Sequence, residues 1–140
     1  MDVIRFVESD GGRAAAGFTD EDAGDCVVRA TAIASGLPYK EVHDALTEWQ
    51  GWNADAGGNV EGHFNTRRFL QSLGFIWVPL MHIGSGCKVH LRADELPNGR
   101  LIVRVTQHVA AVIDRVLYDT YDCSRDGKRC VYGYYIKELS

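Results

Sequence analysis

Apolar positions in the first half of the chain recur at helical spacing. After Asp25-Cys26, the residues Val27, Ala30, Thr31 and Ala34 fall on one stripe, and Val28, Ala32 and Ile33 cover much of the remaining circumference. Arg29 is the only charge between Cys26 and Ser35. A helix that is apolar almost all round is expected in an interior. Gly36 supplies its C-terminal stop, and Pro38 lies just beyond. A second helix is predicted from Tyr39 to about Trp49. Its apolar stripe is Val42, Ala45, Leu46 and Trp49, with Lys40, Glu41, Asp44 and Glu48 turned to water. GWNADAGGNVEG is loop by composition. HFNTRRFLQSLG predicts a third helix with Phe64, Phe69, Leu70 and Leu73 on its apolar side and Gly74 as its cap.

The second half changes character. FIWVPLMHI, RLIVRVTQ, HVAAVID, VLYDTYD and RCVYGYYIKE are rich in β-branched and aromatic residues and predict strands. The breaks between them are short and carry turn signals, Pro97-Asn98-Gly99 and the Asp126-Gly127 pair, which suggests antiparallel hairpins. Helices first and strands second predict an α+β fold, a helical part packed on an antiparallel C-terminal sheet.

Composition narrows the classes. The chain has 140 residues, 46% of them hydrophobic and 24% charged, which is ordinary globular usage and the size of a single domain over 1–140. No apolar run is long enough to span a membrane, and MDVIRFVESDGGR lacks the basic-then-apolar start of a secretory signal, so a cytoplasmic location is expected. The net charge is −4, and the nearest basic clusters, Arg67-Arg68 and Lys128-Arg129, read as solvated surface, so no nucleic-acid partner is expected. Without a signal, the four cysteines Cys26, Cys87, Cys123 and Cys130 read as thiols rather than disulfides. Cys87 with His82 and His90 is a weak match to a zinc pattern; its plainer reading is a buried Cys and two surface His, and neither metal nor cofactor is expected. Trp49, Trp52, Trp77 and the tyrosines Tyr132, Tyr134 and Tyr135 read as core and sheet packing.

Candidate chemistry starts at Cys26. It falls at the first turn of the buried helix, where unpaired N–H groups and the macrodipole favour an anion, as a nucleophilic thiolate requires. Asp25 opposes this through its own negative charge. His108 heads the apolar strand HVAAVID, far from Cys26 in sequence, which is the layout a Cys–His dyad needs. A third group must orient the imidazole. If Ile113 to Val116 forms the turn, His108 lies opposite Tyr121, Asp119 faces Ala110, and Asp119 shares the face of His108. One more residue in the turn would put Asp122 opposite His108 instead.

GDCVVRATAIASGL followed by QHVAAVIDRVLYDTYD resembles the compact papain-like cysteine peptidase superfamily. The likeness is closest to small peptidases of the bacteriocin-processing type and to uncharacterised phage and bacterial proteins with that core. It covers the order of elements from about Phe18 to Glu138. It implies a nucleophile, Cys26, on a central helix, a general base, His108, opening a sheet strand, and an orienting acid, Asp119, on the next. The departures are specific. The Cys-Gly-Ser-Cys-Trp signature is absent, and His108 follows Cys26 by 82 residues, fewer than the roughly 130–150 of the longer enzymes. Asp20 stands where the superfamily has a Gln that donates to the oxyanion, and an ionised carboxylate cannot donate; losing one such donor costs roughly 10²–10³ in rate.

The resemblance implies a cysteine hydrolase, a peptidase or isopeptidase acting on a peptide or protein substrate through a thioester. The alternative is a papain-like scaffold, of phage origin, that has lost catalysis and acts as a binding or inhibitory module.

Overall fold

The structure, a computed structural model, describes residues 4–18, 26–50, 63–81, 84, 86–106 and 108–137, without the side chains of 47, 49, 50 and 63–66. Among these residues it has three α-helices and a six-stranded mixed sheet. The elements in chain order are β1 (Arg5–Glu8), α1 (Cys26–Ser35), α2 (Tyr39–Gln50), α3 (His63–Ser72), β2 (Phe75–Pro79), β3 (Arg100–Val105), β4 (His108–Ile113), β5 (Val116–Asp119) and β6 (Gly133–Lys137). The sheet order is β1-β5-β4-β3-β6-β2.

Side-chain alternation divides the sheet between two apolar clusters. Ile102 of β3, Val109 and Ala111 of β4 and Tyr135 of β6 face the helices, where they meet Val27, Val28, Val42, Leu46, Phe69 and Leu70. Their neighbours Leu101, Val103, Val105, Ala110 and Val112 point the other way, onto Leu91, Leu96, Cys123 and Val131. The runs RLIVRV and HVAAVI are therefore apolar at nearly every position because both faces are covered. Val27 and Val28 of α1 are fully buried, consistent with a helix apolar on most sides, and α1 lies mainly against β4. Gly36 ends α1 with φ +79° while its N–H donates to the carbonyl of Ala32. A guanidinium N–H of Arg100 donates to the Ala34 carbonyl at 3.1 Å, a cation at the negative end of the helix.

Several expectations need correction. The sheet is not wholly antiparallel, because β1 pairs in parallel with β5, Arg5 opposite Val116 through Glu8 opposite Asp119. The Asp126-Gly127 turn does not close a hairpin. Arg125, Asp126 and Gly127 all have positive φ, and the chain there leaves β5 and crosses to the far side of β3. There β6 pairs antiparallel with both β3 and β2. Ala45 is exposed; the buried stripe of α2 is Tyr39, Val42 and Leu46, set by which face meets α1. The loop at 51–62, with Trp52, lies outside the described residues.

Gly133 starts β6 where no side chain fits. A Cβ there would meet the Trp77 ring at 2.3 Å and the Val78 carbonyl at 2.8 Å. Trp77 is itself seated on Tyr135, with centroids 4.7 Å apart. Gly133→Ala should therefore cost roughly 1–3 kcal/mol by overpacking. Urea unfolding measures this; an unchanged midpoint would contradict the packing.

The expectation of four thiols is overturned by a disulfide between Cys87 and Cys130. It lies beside the isolated bridge that pairs His90 with Cys130 and ties the 86–92 segment to the chain entering β6. Sequence spacing could not reveal it, because 43 residues separate the two cysteines and only the crossover of β6 brings them together. Cys26 and Cys123 remain free and buried. Closing a loop of this length stabilises by about 4 kcal/mol in the chain-entropy account. The double variant Cys87→Ser/Cys130→Ser should thus lose roughly 2–4 kcal/mol in denaturant unfolding. Thiol titration of the unfolded chain should find two groups before reduction and all four cysteines after it. Four reactive thiols before reduction would contradict the bond. No helix among the described residues is long and apolar enough to cross a membrane.

Candidate active site

Three elements deliver three polar side chains to one end of the sheet. Cys26 is the first described residue of α1, His108 opens β4 and Asp119 closes β5. All are buried, at 4%, 8% and 3% exposure, so each polar group must find its partner within the protein.

The β4–β5 turn sets the pairing. Ile113 lies opposite Val116, Val112 opposite Leu117 and Ala111 opposite Tyr118. Asp114 and Arg115 both have positive φ, 48° and 68°, as a two-residue turn with right-handed twist requires. An Asp114 carboxylate oxygen accepts from the Gly99 N–H at 2.9 Å and holds that turn. Continuing the register one step sets Asp119 opposite Ala110, on the face His108 occupies. His108 Nε2 and Asp119 Oδ2 are 2.7 Å apart. Asp122 goes elsewhere: its Oδ1 accepts from the backbone N–H and the hydroxyl of Ser124, at 3.0 and 2.7 Å.

The carboxylate is fixed from several sides. Asp119 Oδ1 accepts from the Thr120 N–H at 2.7 Å and from the Arg29 guanidinium at 3.5 Å. Its main-chain carbonyl accepts from the Ser9 N–H at 2.8 Å, a contact that extends the β1 pairing. With Nε2 committed to the carboxylate, Nδ1 is the ring's other polar atom. The thiols of Cys26 and Cys123 both favour the protonated form of this imidazole. The Tyr121 ring flanks it, with centroids 5.5 Å apart.

The electrostatics follow from these contacts. Burial alone would favour neutral His108, but hydrogen bonds to Asp119, Cys123 and Cys26 and the Asp119 charge outweigh it and push the pKa up to about 12. Burial likewise works against an ionised Asp119, yet the hydrogen bond and charge of His108, the Thr120 N–H and Arg29 hold the carboxyl below its usual range. The resting pair is imidazolium and carboxylate.

Cys26, His108 and Asp119 are thus gathered in one cluster. Arg29 and Cys123 join them without having been singled out from the sequence. Arg29, the lone charge of an apolar helix, is three residues after Cys26 and so on a neighbouring face, which was a usable clue. Cys123 arrives through the turn after β5, and nothing in its spacing announced it. Of the weak zinc pattern, Cys87 Sγ lies 3.6 Å from His90 Nε2 but is bonded in the disulfide and so is no thiolate ligand, His90 Nδ1 lies 3.2 Å from Glu95 Oε1, and His82 is outside the described residues, as is Asp20. A different set has ligand chemistry. One donor atom each from His108, Asp119 and Cys123 lie within 4.8 Å of one another. The predicted packing aromatics divide. Tyr135 is fully buried under Trp77, whereas the Tyr132 hydroxyl bonds that of Thr106 at 2.7 Å. The side chain of Trp49 lies outside the described residues.

A scan of protein-family models, a search of curated proteins and a search of solved structures each gave no match to this chain.

Proposed function

We propose that the protein is a papain-like cysteine hydrolase that cleaves a peptide or isopeptide amide through a thioester. The observation that carries this reading is the Cys26–His108–Asp119 cluster, with the carboxylate 2.7 Å from Nε2 and the thiol favouring the protonated form of the same ring. A helix-borne thiol, a strand-opening His and an acid on the next strand support the papain-like assignment in particular.

With the Cys26 proton already held by the His108 imidazolium, the thiolate forms a bond to the amide carbon while the carbonyl π pair moves to oxygen. The Cys26 N–H, in the first turn of α1, offers one donor to that oxyanion. Collapse breaks the C–N bond, and the imidazolium protonates the departing amine, leaving a thioester and neutral His108. Water then gives its proton to His108 as it attacks the thioester. Expulsion of the thiolate releases the acid and leaves the imidazolium and thiolate with which the cycle began. Asp119 keeps Nε2–H oriented throughout and stabilises the imidazolium; Arg29 and Thr120 keep Asp119 ionised and in place.

Cys26→Ala should abolish amine release from a panel of peptide and isopeptide amides while the melting temperature stays close to that of the parent. Equal release by parent and variant would overturn the proposal. The competing reading, a scaffold that acts by binding, draws on the 4% exposure of Cys26. Absence of both turnover and Cys26 acylation across the panel would decide for it.

A further inference from the structure

Cys123 has no part in the hydrolytic cycle, yet it is 1% exposed and its thiol lies against the His108 imidazole. It is one of two free cysteines, and the other, Cys26, also favours the protonated form of that ring. Donor atoms of His108, Asp119 and Cys123 lie within 4.8 Å of one another, and all three residues are buried. This is a mixed nitrogen, oxygen and sulfur set in a dry setting, unlike an exposed patch of carboxylates. Zn²⁺ binds such donors tetrahedrally at roughly 2.0–2.3 Å, which sets them about 3.3–3.8 Å apart. The His108 Nε2 and Asp119 Oδ2 atoms, 2.7 Å apart, and the outer limit of 4.8 Å each differ from that shell by about an ångström or less. Ca²⁺ and Mg²⁺ demand oxygen ligands and do not suit a thiolate.

We propose that His108, Asp119 and Cys123 form a site for a thiophilic divalent cation, Zn²⁺ foremost, with solvent in the fourth position. Binding deprotonates the Cys123 thiol and the imidazolium and releases those protons to water. The cation takes His108, the base, and its carboxylate partner, so metal binding and acyl transfer exclude one another. Metal occupancy is then a reversible off state of the proposed hydrolase. That consequence rests on the hydrolase reading; the binding itself does not.

Cobalt(II) tests the site in the full chain with its disulfide intact, after stripping by a chelator. One equivalent should give the intense visible bands of tetrahedral cobalt and a thiolate-to-metal charge-transfer band, and Zn²⁺ should displace it. Cys26→Ser should keep the charge-transfer band, because the Cys123 thiolate remains the sulfur ligand. Cys123→Ser, or Cys123→Ala if the serine variant melts early, should weaken binding by at least about tenfold, no less than the loss of a supporting group does. Absence of tetrahedral bands in the parent, or unchanged bands and affinity without Cys123, would overturn the site. Cys123-dependent cobalt binding in a protein without hydrolytic activity would retain the site and refute only the hydrolase.

Discussion

Asp119→Ala should lower turnover on the order of 10³–10⁴-fold, whereas Asp122→Ala should change it less than about tenfold. The contrast follows from where the two carboxylates go. Asp119 Oδ2 meets His108 Nε2 at 2.7 Å, while Asp122 Oδ1 is spent on Ser124. Without Asp119 the ring loses its orienting acceptor and the charge that stabilises its protonated form. Arg29 loses a carboxylate at 3.5 Å as well. Removing one member of a buried ion pair costs roughly 3–5 kcal/mol, so turnover must be measured well below the melting point of the variant. Asp119→Asn separates orientation from charge. Its amide oxygen can still accept from Nε2–H but carries no full charge, so its loss should lie between those of the parent and the Ala variant. Steady-state release of amine, with circular dichroism as the folding control, checks the order. A larger loss from Asp122→Ala would mean that the β4–β5 register does not orient the base.

The second large effect is on stability against pH. The folded pKa of His108 is raised to about 12 from 6.5. Its contribution is therefore complete below 6.5 and is lost as pH climbs towards the folded value. Asp119 is lowered from 3.8, so its contribution is present above 3.8 and is lost as pH falls through its folded value. The pair consequently stabilises most between these unfolded values. In chelator-treated protein, the advantage of the parent over His108→Gln should be flat from about pH 4 to 6.5. Above that it should shrink by at most about 1.4 kcal/mol per pH unit, because the unfolded chain gives up a proton that the folded chain keeps. Comparing parent with variant cancels most other titrations. Urea unfolding of both proteins at about pH 5 and pH 8 measures the difference. An advantage that grows above pH 6.5 would contradict an imidazolium at this position.

The parts of the fold that were legible in the sequence are those governed by local rules. α1 runs from Cys26 to Ser35 because its apolar residues surround the axis and Gly36 can adopt positive φ. The β4–β5 hairpin was legible for the same kind of reason: a two-residue turn and side-chain alternation together place Asp119 on the face of His108. What escaped depends on distant partners. β1 is only four residues with charged ends, and it becomes a strand by lying parallel to β5. β6 follows a turn that reads as a hairpin, but its partners are β3 and β2, a choice made by the whole sheet. The Cys87–Cys130 bond depends on that same crossover. Cys123 and Arg29 joined the site through packing: one comes from a turn beneath the sheet and the other from the helix above the acid, and neither lies in a motif.

Alkylation of Cys26 tests the central claim most directly, because it reads the nucleophile without requiring a known substrate. Native, chelator-treated protein is labelled with limiting iodoacetamide near neutral pH, and the modified cysteine is located by peptide mass mapping. Only Cys26 and Cys123 are free to react while the disulfide is intact. The account predicts that Cys26 is labelled first and that His108→Gln slows its labelling by at least about tenfold, a bound set below the roughly 10²–10⁴ that a positioned base contributes to a full reaction. Labelling of Cys123 ahead of Cys26, or a Cys26 rate unchanged by His108→Gln, would contradict it.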